Sequence, residues 1–128
     1  MTTTPAARLA ASEFLLLTTY RRNGQPVPTP VFVVPHGDGL GAWTIDGSAK
    51  VRRIRADARV TLSKCDRVGT PLDDESFEGR ARLLDVDGTQ RVEAAIQHKY
   101  DLSAEQLKGI VLRIGADRQP VGIAIDVA

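Results

Sequence analysis

The stretch QPVPTPVFVV places Pro26, Pro28 and Pro30 at every second position of a run that otherwise reads as a β-strand. Proline has no backbone N–H, so one side of such a strand cannot donate to a ladder, and the segment belongs at a sheet edge or in a bulge. Just upstream, Asn23-Gly24 separates it from a run rich in Leu, Thr and Tyr. That dipeptide between two alternating runs is a strong hairpin signal, because a tight two-residue turn needs positive φ at both positions. The pattern predicts a hairpin of Phe14 to Arg22 with Val27 to Pro35, its second strand at an open margin where something else can dock.

The remaining elements follow from period and punctuation. Pro5 and the Ala-rich residues to Glu13 predict a short first helix, His36-Gly37-Asp38-Gly39 a turn, and Leu40 to Thr44 a third strand. Asp46-Gly47-Ser48 stops that strand. Val51, Ile54 and Ala58 then set an apolar stripe on a helix from about Ala49 to Ala56, with Ser48 as its N-cap. Arg59 to Cys65 and Ser76 to Asp85 alternate as strands around a loop at Gly69 to Asp74. Two helices, Gly88 to Tyr100 and Ser103 to about Ile114, precede a closing strand at Pro120 to Val127. Five or six strands with short turns and few helices fit a single mainly β domain with α, residues 1–128, folded as a small, partly open barrel. No βαβ rhythm, GxGxxG or GxxxxGKS is present, so neither a Rossmann site nor a P-loop is offered.

Composition excludes several classes. With 128 residues, 42% hydrophobic and 26% charged, the chain has the length for one real core. It lacks a run approaching the roughly 18 to 20 apolar residues of a membrane span and a basic, apolar leader, so a cytoplasmic protein with no membrane association is expected. The single cysteine, Cys65, allows no intramolecular disulfide and no cysteine-based metal site, and no metal is expected. A net charge of +1 argues against a nucleic-acid partner, as do aromatics at only 5% and scattered. The charge is segregated, however. From Ser48 to Arg67, Lys50, Arg52, Arg53, Arg55, Arg59, Lys64 and Arg67 face only Asp57 and Asp66, and a local basic patch on a near-neutral chain suits a small anionic ligand.

Lys50 is the odd member of that patch. If Ser48 caps the helix, Lys50 lies in the first turn, where free N–H groups and the positive end of the dipole disfavour a cation. Either the ammonium points to water at a cost of about 0.3 to 1 kcal/mol, or an anion sits at the helix start and receives N–H groups, serine hydroxyl and ammonium together.

The order GQP, a strand ending in Trp43-Thr44, GSAK, a helix with Ile54 and a strand opening Arg59-Val60-Thr61 resembles the flavin-binding split barrel of the pyridoxamine 5′-phosphate oxidase superfamily. More narrowly, TTYRRNGQPVPTPVF, KVRRIRADARVTLSKCD and FEGRARLL resemble its actinobacterial branch, oxidoreductases that use the deazaflavin coenzyme F-420. The resemblance implies a homodimer with the cofactor in a groove at the subunit interface. It implies that Pro28, Thr29, Pro30, Val31 and Phe32 run along the ring, that Trp43 and Thr44 line the ribityl chain, and that Ser48, Ala49 and Lys50 meet the phosphate. Arg52, Arg53 or Arg55, of which Arg53 is counted among the expected site residues, would reach the longer anionic tail that coenzyme F-420 has and FMN lacks. In the oxidase proper the motif serine is followed by Arg-Lys; here Ala49 replaces the arginine, which speaks against pyridoxamine phosphate oxidase activity and weakens the case for FMN, the alternative cofactor.

The implied chemistry is hydride transfer with a small planar or apolar substrate, for which no catalytic acid or base need be visible. A non-catalytic flavin- or deazaflavin-binding protein would show the same binding residues. His36 in a turn and His98 on a helix read as surface residues, Cys65 as a small core residue, and Asp73-Asp74-Glu75 as a solvated loop. Trp43 reads equally as core or as groove lining.

Overall fold

The computed structural model describes residues 4–115 and 119–128. The chain runs α1 (Pro5–Ala10), β1 (Phe14–Tyr20), β2 (Pro26–Val31), β3 (Val33–His36), β4 (Gly39–Ile45), α2 (Ala49–Ala56), β5 (Arg59–Cys65), β6 (Phe77–Leu83), α3 (Val86–Tyr100), α4 (Ala104–Gly115) and β7 (Pro120–Val127). The seven strands form one sheet in the order β2-β1-β5-β6-β7-β4-β3, antiparallel at every described pairing.

The two margins of this sheet, β2 and β3, are consecutive in the chain and separated by Phe32 alone. A one-residue link between opposite edges forces the sheet to curl until those edges approach each other, which makes a mainly β split barrel with short helices. The expected single strand from Val27 to Pro35 is therefore two strands, and the expected five or six strands are seven. The reason is tertiary: the N–H of Val33 is taken by the Tyr100 hydroxyl at 3.0 Å, a partner 67 residues away. The proline edge is where the alternation puts it. Pro26, Pro28 and Pro30 lie opposite Tyr20, Thr18 and Leu16 on the outermost strand, leaving its free side short of three donors.

The β1–β2 turn differs from expectation. Gly24 donates to Arg21 O at 2.8 Å and Arg21 to Gln25 O at 3.0 Å, and only Gly24 has positive φ, +86°, while the Asn23 side chain accepts from Gln25 N at 3.0 Å. This is a three-residue loop with a left-handed glycine, not a two-residue turn, so asparagine serves by hydrogen bonding rather than by conformation. His36 likewise is the last residue of β3, opposite Gly39, rather than part of the turn.

Period-2 alternation builds the barrel interior from Leu15, Leu17, Leu40, Leu62, Ile123 and Ile125, all essentially inaccessible. A second cluster, Val34, Trp43, Val92, Ile96 and Leu107, fills the space between β3–β4 and the helices α3 and α4, so β4 is buried on both faces. Helix ends are capped from the sequence: Ser48 accepts from Val51 N at 3.3 Å, Asp85 from Gly88 N at 2.8 Å, and Ser103 and Gln106 cap reciprocally at 3.0 and 2.8 Å. Helix α1 stops at Ala10, short of the expected Glu13, and α3 starts at Val86, ahead of the expected Gly88. Asp73 and Glu75 are not merely solvated: Lys64 pairs with both, at 2.7 and 3.5 Å, and Arg8 with Glu75 at 3.1 Å. Among the described residues no helix is long and apolar enough to cross a membrane.

Candidate functional site

Where the sheet margins meet, the end of β2, the end of β4 and the start of α2 enclose a cavity of about 310 Å3. Thr29, Pro30, Val31 and Phe32 form one wall, Trp43, Thr44 and Ile45 another, and Ser48 and Lys50 the helix-side end; Phe14, Arg67 and Ile110 complete the lining. The apolar side is an aromatic cluster. Phe32 lies 5.9 Å from Phe14, 6.2 Å from Trp43 and 4.7 Å from Tyr100, centroid to centroid. Trp43 is both core and lining, since it is only 4% exposed and its indole N–H is turned to Glu93 at 3.2 Å.

Phe32 is held in place from behind. The Lys99 ammonium donates to three carbonyls, Ala10 at 2.8 Å, Ser12 at 2.6 Å and Val33 at 2.7 Å. Beside it the Tyr100 hydroxyl accepts from Val33 N–H and donates to Glu13 O. The last turn of α3 thus ties the α1–β1 connection to the kink that shapes the cavity wall.

Lys50 has no such partners. Its ammonium, half-buried, touches the Thr44 hydroxyl at 3.4 Å, and among the described residues no carboxylate lines the cavity. Burial first, and the Arg53 charge second, push its pKa below that of an ordinary lysine. A desolvated cation without an anion, beside the capped start of a helix, is a fit for a phosphate.

On the other side of Ala49 lies a second cavity, about 460 Å3, lined by Tyr20, Arg21, Arg22, Ala49, Arg52, Arg53 and Ala56, again without a carboxylate. Arg53 is oriented by Nε donating to Thr19 Oγ1 at 2.6 Å, and burial, followed by the charges of Arg21 and Arg52, lowers its pKa. Arg52 reaches back to Gly47 O at 2.8 Å, while Arg55 pairs with Asp46 at 3.5 Å and lines neither cavity.

Of the residues singled out in the sequence, Thr29, Pro30, Val31, Phe32, Trp43, Thr44, Ser48 and Lys50 converge on the first cavity. Ala49 and Arg53 line the second. Pro28 lines neither; it is exposed on the outer strand opposite Thr18. Phe14, Ile45, Arg67 and Ile110 were not among the expected site residues. Phe14 and Arg67 are brought together by the β1–β5 register, which pairs Phe14 with Cys65, and no local signal marks that register. Cys65 is fully buried, which raises its thiol pKa to about 11, so it is a core residue rather than a nucleophile.

A curled antiparallel sheet whose margins part at a single residue, with a cation-ended cavity at the gap, defines a protein of the flavin-binding split-barrel class. The chain belongs to the pyridoxamine 5′-phosphate oxidase family, whose model matches residues 1–118. Comparison with curated proteins gives no match. Among solved structures, the conserved hypothetical protein Rv2991 from Mycobacterium tuberculosis is 22% identical with a TM-score of 0.70, over 99% of this chain and 82% of that one. An F-420 reductase is 21% identical with a TM-score of 0.62, over 99% and 96%. The heme storage protein HutZ from Vibrio cholerae is 13% identical with a TM-score of 0.64, over 94% and 84%. At these identities the likeness is one of fold.

Proposed function

We propose that this protein is an oxidoreductase that binds the deazaflavin coenzyme F-420 and acts on a small planar or apolar organic substrate. The observation that carries the reading is the pair of cavities on either side of the start of α2, one aromatic with a lone desolvated lysine and the other lined by four arginines. A ring, a phosphate and a longer anionic tail match that sequence of surfaces, whereas FMN ends at the phosphate and leaves the arginines without an anion. Ala49, where the oxidase has a phosphate-binding arginine, puts a small side chain in the lining of the second cavity, next in sequence to Ser48 and Lys50 of the first. The F-420 reductase among the structural neighbours agrees with this choice.

In this reading Thr29 to Phe32 and Trp43 hold the ring, Ser48 and Lys50 the phosphate, and Arg53 with Arg52, Arg21 and Arg22 the tail. The cofactor, when bound, supplies a hydride. The chain's own work is to bind, to orient and to exclude water with Phe14, Phe32, Trp43 and Ile110, an arrangement in which proximity and a dry cleft account for the catalysis. The margin at β2 is the surface on which a second copy would close the groove, giving a homodimer. Light scattering at micromolar concentration should give twice the 13.8 kDa of one chain. A 13.8 kDa particle overturns the dimer.

Parallel fluorescence titrations with coenzyme F-420 and FMN test the cofactor. F-420 should bind more tightly, and Arg22→Ala should weaken F-420 while leaving FMN unchanged. Tighter FMN binding overturns the preference. Binding of F-420 with no turnover of any quinone, tetrapyrrole or unsaturated acid offered to the reduced form would favour a carrier.

A further inference from the structure

Arg67 stands in the wall of the aromatic cavity with no role in the reading above. It lies at the tip of the β5–β6 loop, which is tied down by its own backbone. Asp66 Oδ1 accepts from Val68 N at 3.0 Å and Thr70 N at 2.9 Å, Asp66 N donates to Thr70 O at 3.0 Å, and Gly69 N to Asp66 O at 3.1 Å. Gly69 takes φ +93°, and a side chain at this position would meet Pro30, so the loop lies alongside β2 near the cavity wall. The neighbouring carboxylate of Asp66 holds these two N–H groups on Oδ1 and makes no ion pair with Arg67 among the described residues. No hydrogen bond, ion pair or ring contact engages the exposed Arg67 guanidinium among the described residues, and no acid lines the cavity it borders.

Arg67 and Lys50 approach from different sides. Lys50 comes from the first turn of α2, against Thr44 at the end of β4, and burial and then the charge of Arg53 lower its pKa. Arg67 follows Cys65, which pairs with Phe14, and so belongs to the β1–β5 side beside Phe14 and Pro30. A cavity with an apolar aromatic face, one cation at the helix end and a second, unpaired arginine on a different element of its lining is suited to two anions rather than one. Guanidinium forks match carboxylates in planar, two-bond geometry, and the tied loop fixes the backbone from which this one reaches.

We propose that Arg67 is a specificity-determining residue that receives the carboxylate of the second ligand, so that the substrate class is a planar, largely apolar molecule bearing a carboxylate. This rests on the cavity being the cofactor's ring site, with Lys50 already engaged by phosphate.

Two probes of one shape and different charge test it: 2-naphthoate and its neutral isostere 2-naphthamide. Each is measured by equilibrium dialysis against wild type, Arg67→Ala and Arg67→Lys, with and without saturating coenzyme F-420. In the F-420-loaded protein, naphthoate should bind roughly tenfold more tightly than naphthamide. Arg67→Ala should remove that preference by weakening naphthoate alone, Arg67→Lys should keep part of it, and all three should bind F-420 within about twofold and keep the oligomeric mass of wild type. Equal weakening of both probes, no preference in wild type, a preference that survives Arg67→Ala, or a change of oligomeric mass in Arg67→Ala overturns the proposal. Should F-420 itself fail to bind, the cofactor reading falls separately, and a naphthoate preference of the cofactor-free protein that is lost in Arg67→Ala still upholds the role of Arg67.

Discussion

Lys99 and Lys50 are the same side chain, both half-buried and both at helix ends beside one cavity, and they are treated in opposite ways. Lys99 lies in the last turn of α3, where the helix dipole favours a cation, and its three N–H bonds meet three carbonyls at 2.6 to 2.8 Å. Lys50 lies in the first turn of α2, where the dipole disfavours it, and finds one hydroxyl at 3.4 Å. Burial lowers the pKa of both, that of Lys99 to about 8. In each case the unfolded chain then holds the proton more tightly than the fold does, so desolvating the ammonium opposes folding until it titrates. For Lys99 three carbonyls receive the N–H groups from within the chain and offset part of that cost. For Lys50 no such group is present among the described residues, and in the proposed reading a phosphate supplies it.

The sharpest way to break the comparison is to remove the fastening. Lys99→Met leaves the carbonyls of Ala10, Ser12 and Val33 without their donor, and should cost about 3 kcal/mol, or roughly 10 °C in melting temperature by calorimetry. A loss no larger than that of a surface substitution would make Lys99 and Lys50 equivalent. Next in size, Lys50→Ala should weaken coenzyme F-420 by on the order of 10- to 100-fold in a fluorescence titration, because a charge-assisted phosphate contact is worth about 1.5 to 3 kcal/mol. Arg55→Ala is the charge-matched control, since Arg55 faces Asp46 and neither cavity; an equal loss there would reduce the site to diffuse electrostatics.

The pH dependence follows from the sign of the shift. In the proposed reading the phosphate is met by the Lys50 ammonium, whose pKa lies below that of an ordinary lysine, so F-420 affinity should fall as pH rises, earlier than an unperturbed lysine would allow. Lys50→Arg should carry that fall to higher pH, and titrations at intervals from about pH 7 to 10 would show it. The smallest effect concerns the cofactor-free fold. Lys50→Met removes a cation opposed by the helix dipole and should stabilise the protein by about 0.3 to 1 kcal/mol in urea unfolding, the reverse of Lys99→Met.

The sequence by itself determined what is local. Ser48 accepting from Val51 N, the span Ala49–Ala56, the spans of β5 and β7 and the outward placing of Pro26, Pro28 and Pro30 all follow from capping, periodicity and missing donors within a few residues. Family motifs added Thr29 to Phe32, Trp43, Thr44 and Lys50, which do converge on one cavity. Only the tertiary structure decided the break at Phe32, the contribution of Phe14, Arg67 and Ile110, and the division of Lys50 and Arg53 between two cavities. Each of these rests on contacts far apart in the chain. Val33 is held by Tyr100, Phe14 is set beside the β5–β6 loop by strand register, and the start of α2 contributes to two cavities only because of where α2 packs on the curled sheet. Propensity and period report on neighbours within a turn or a pleat, whereas closing a barrel depends on which distant edges meet, and that is fixed by the packing of the whole core.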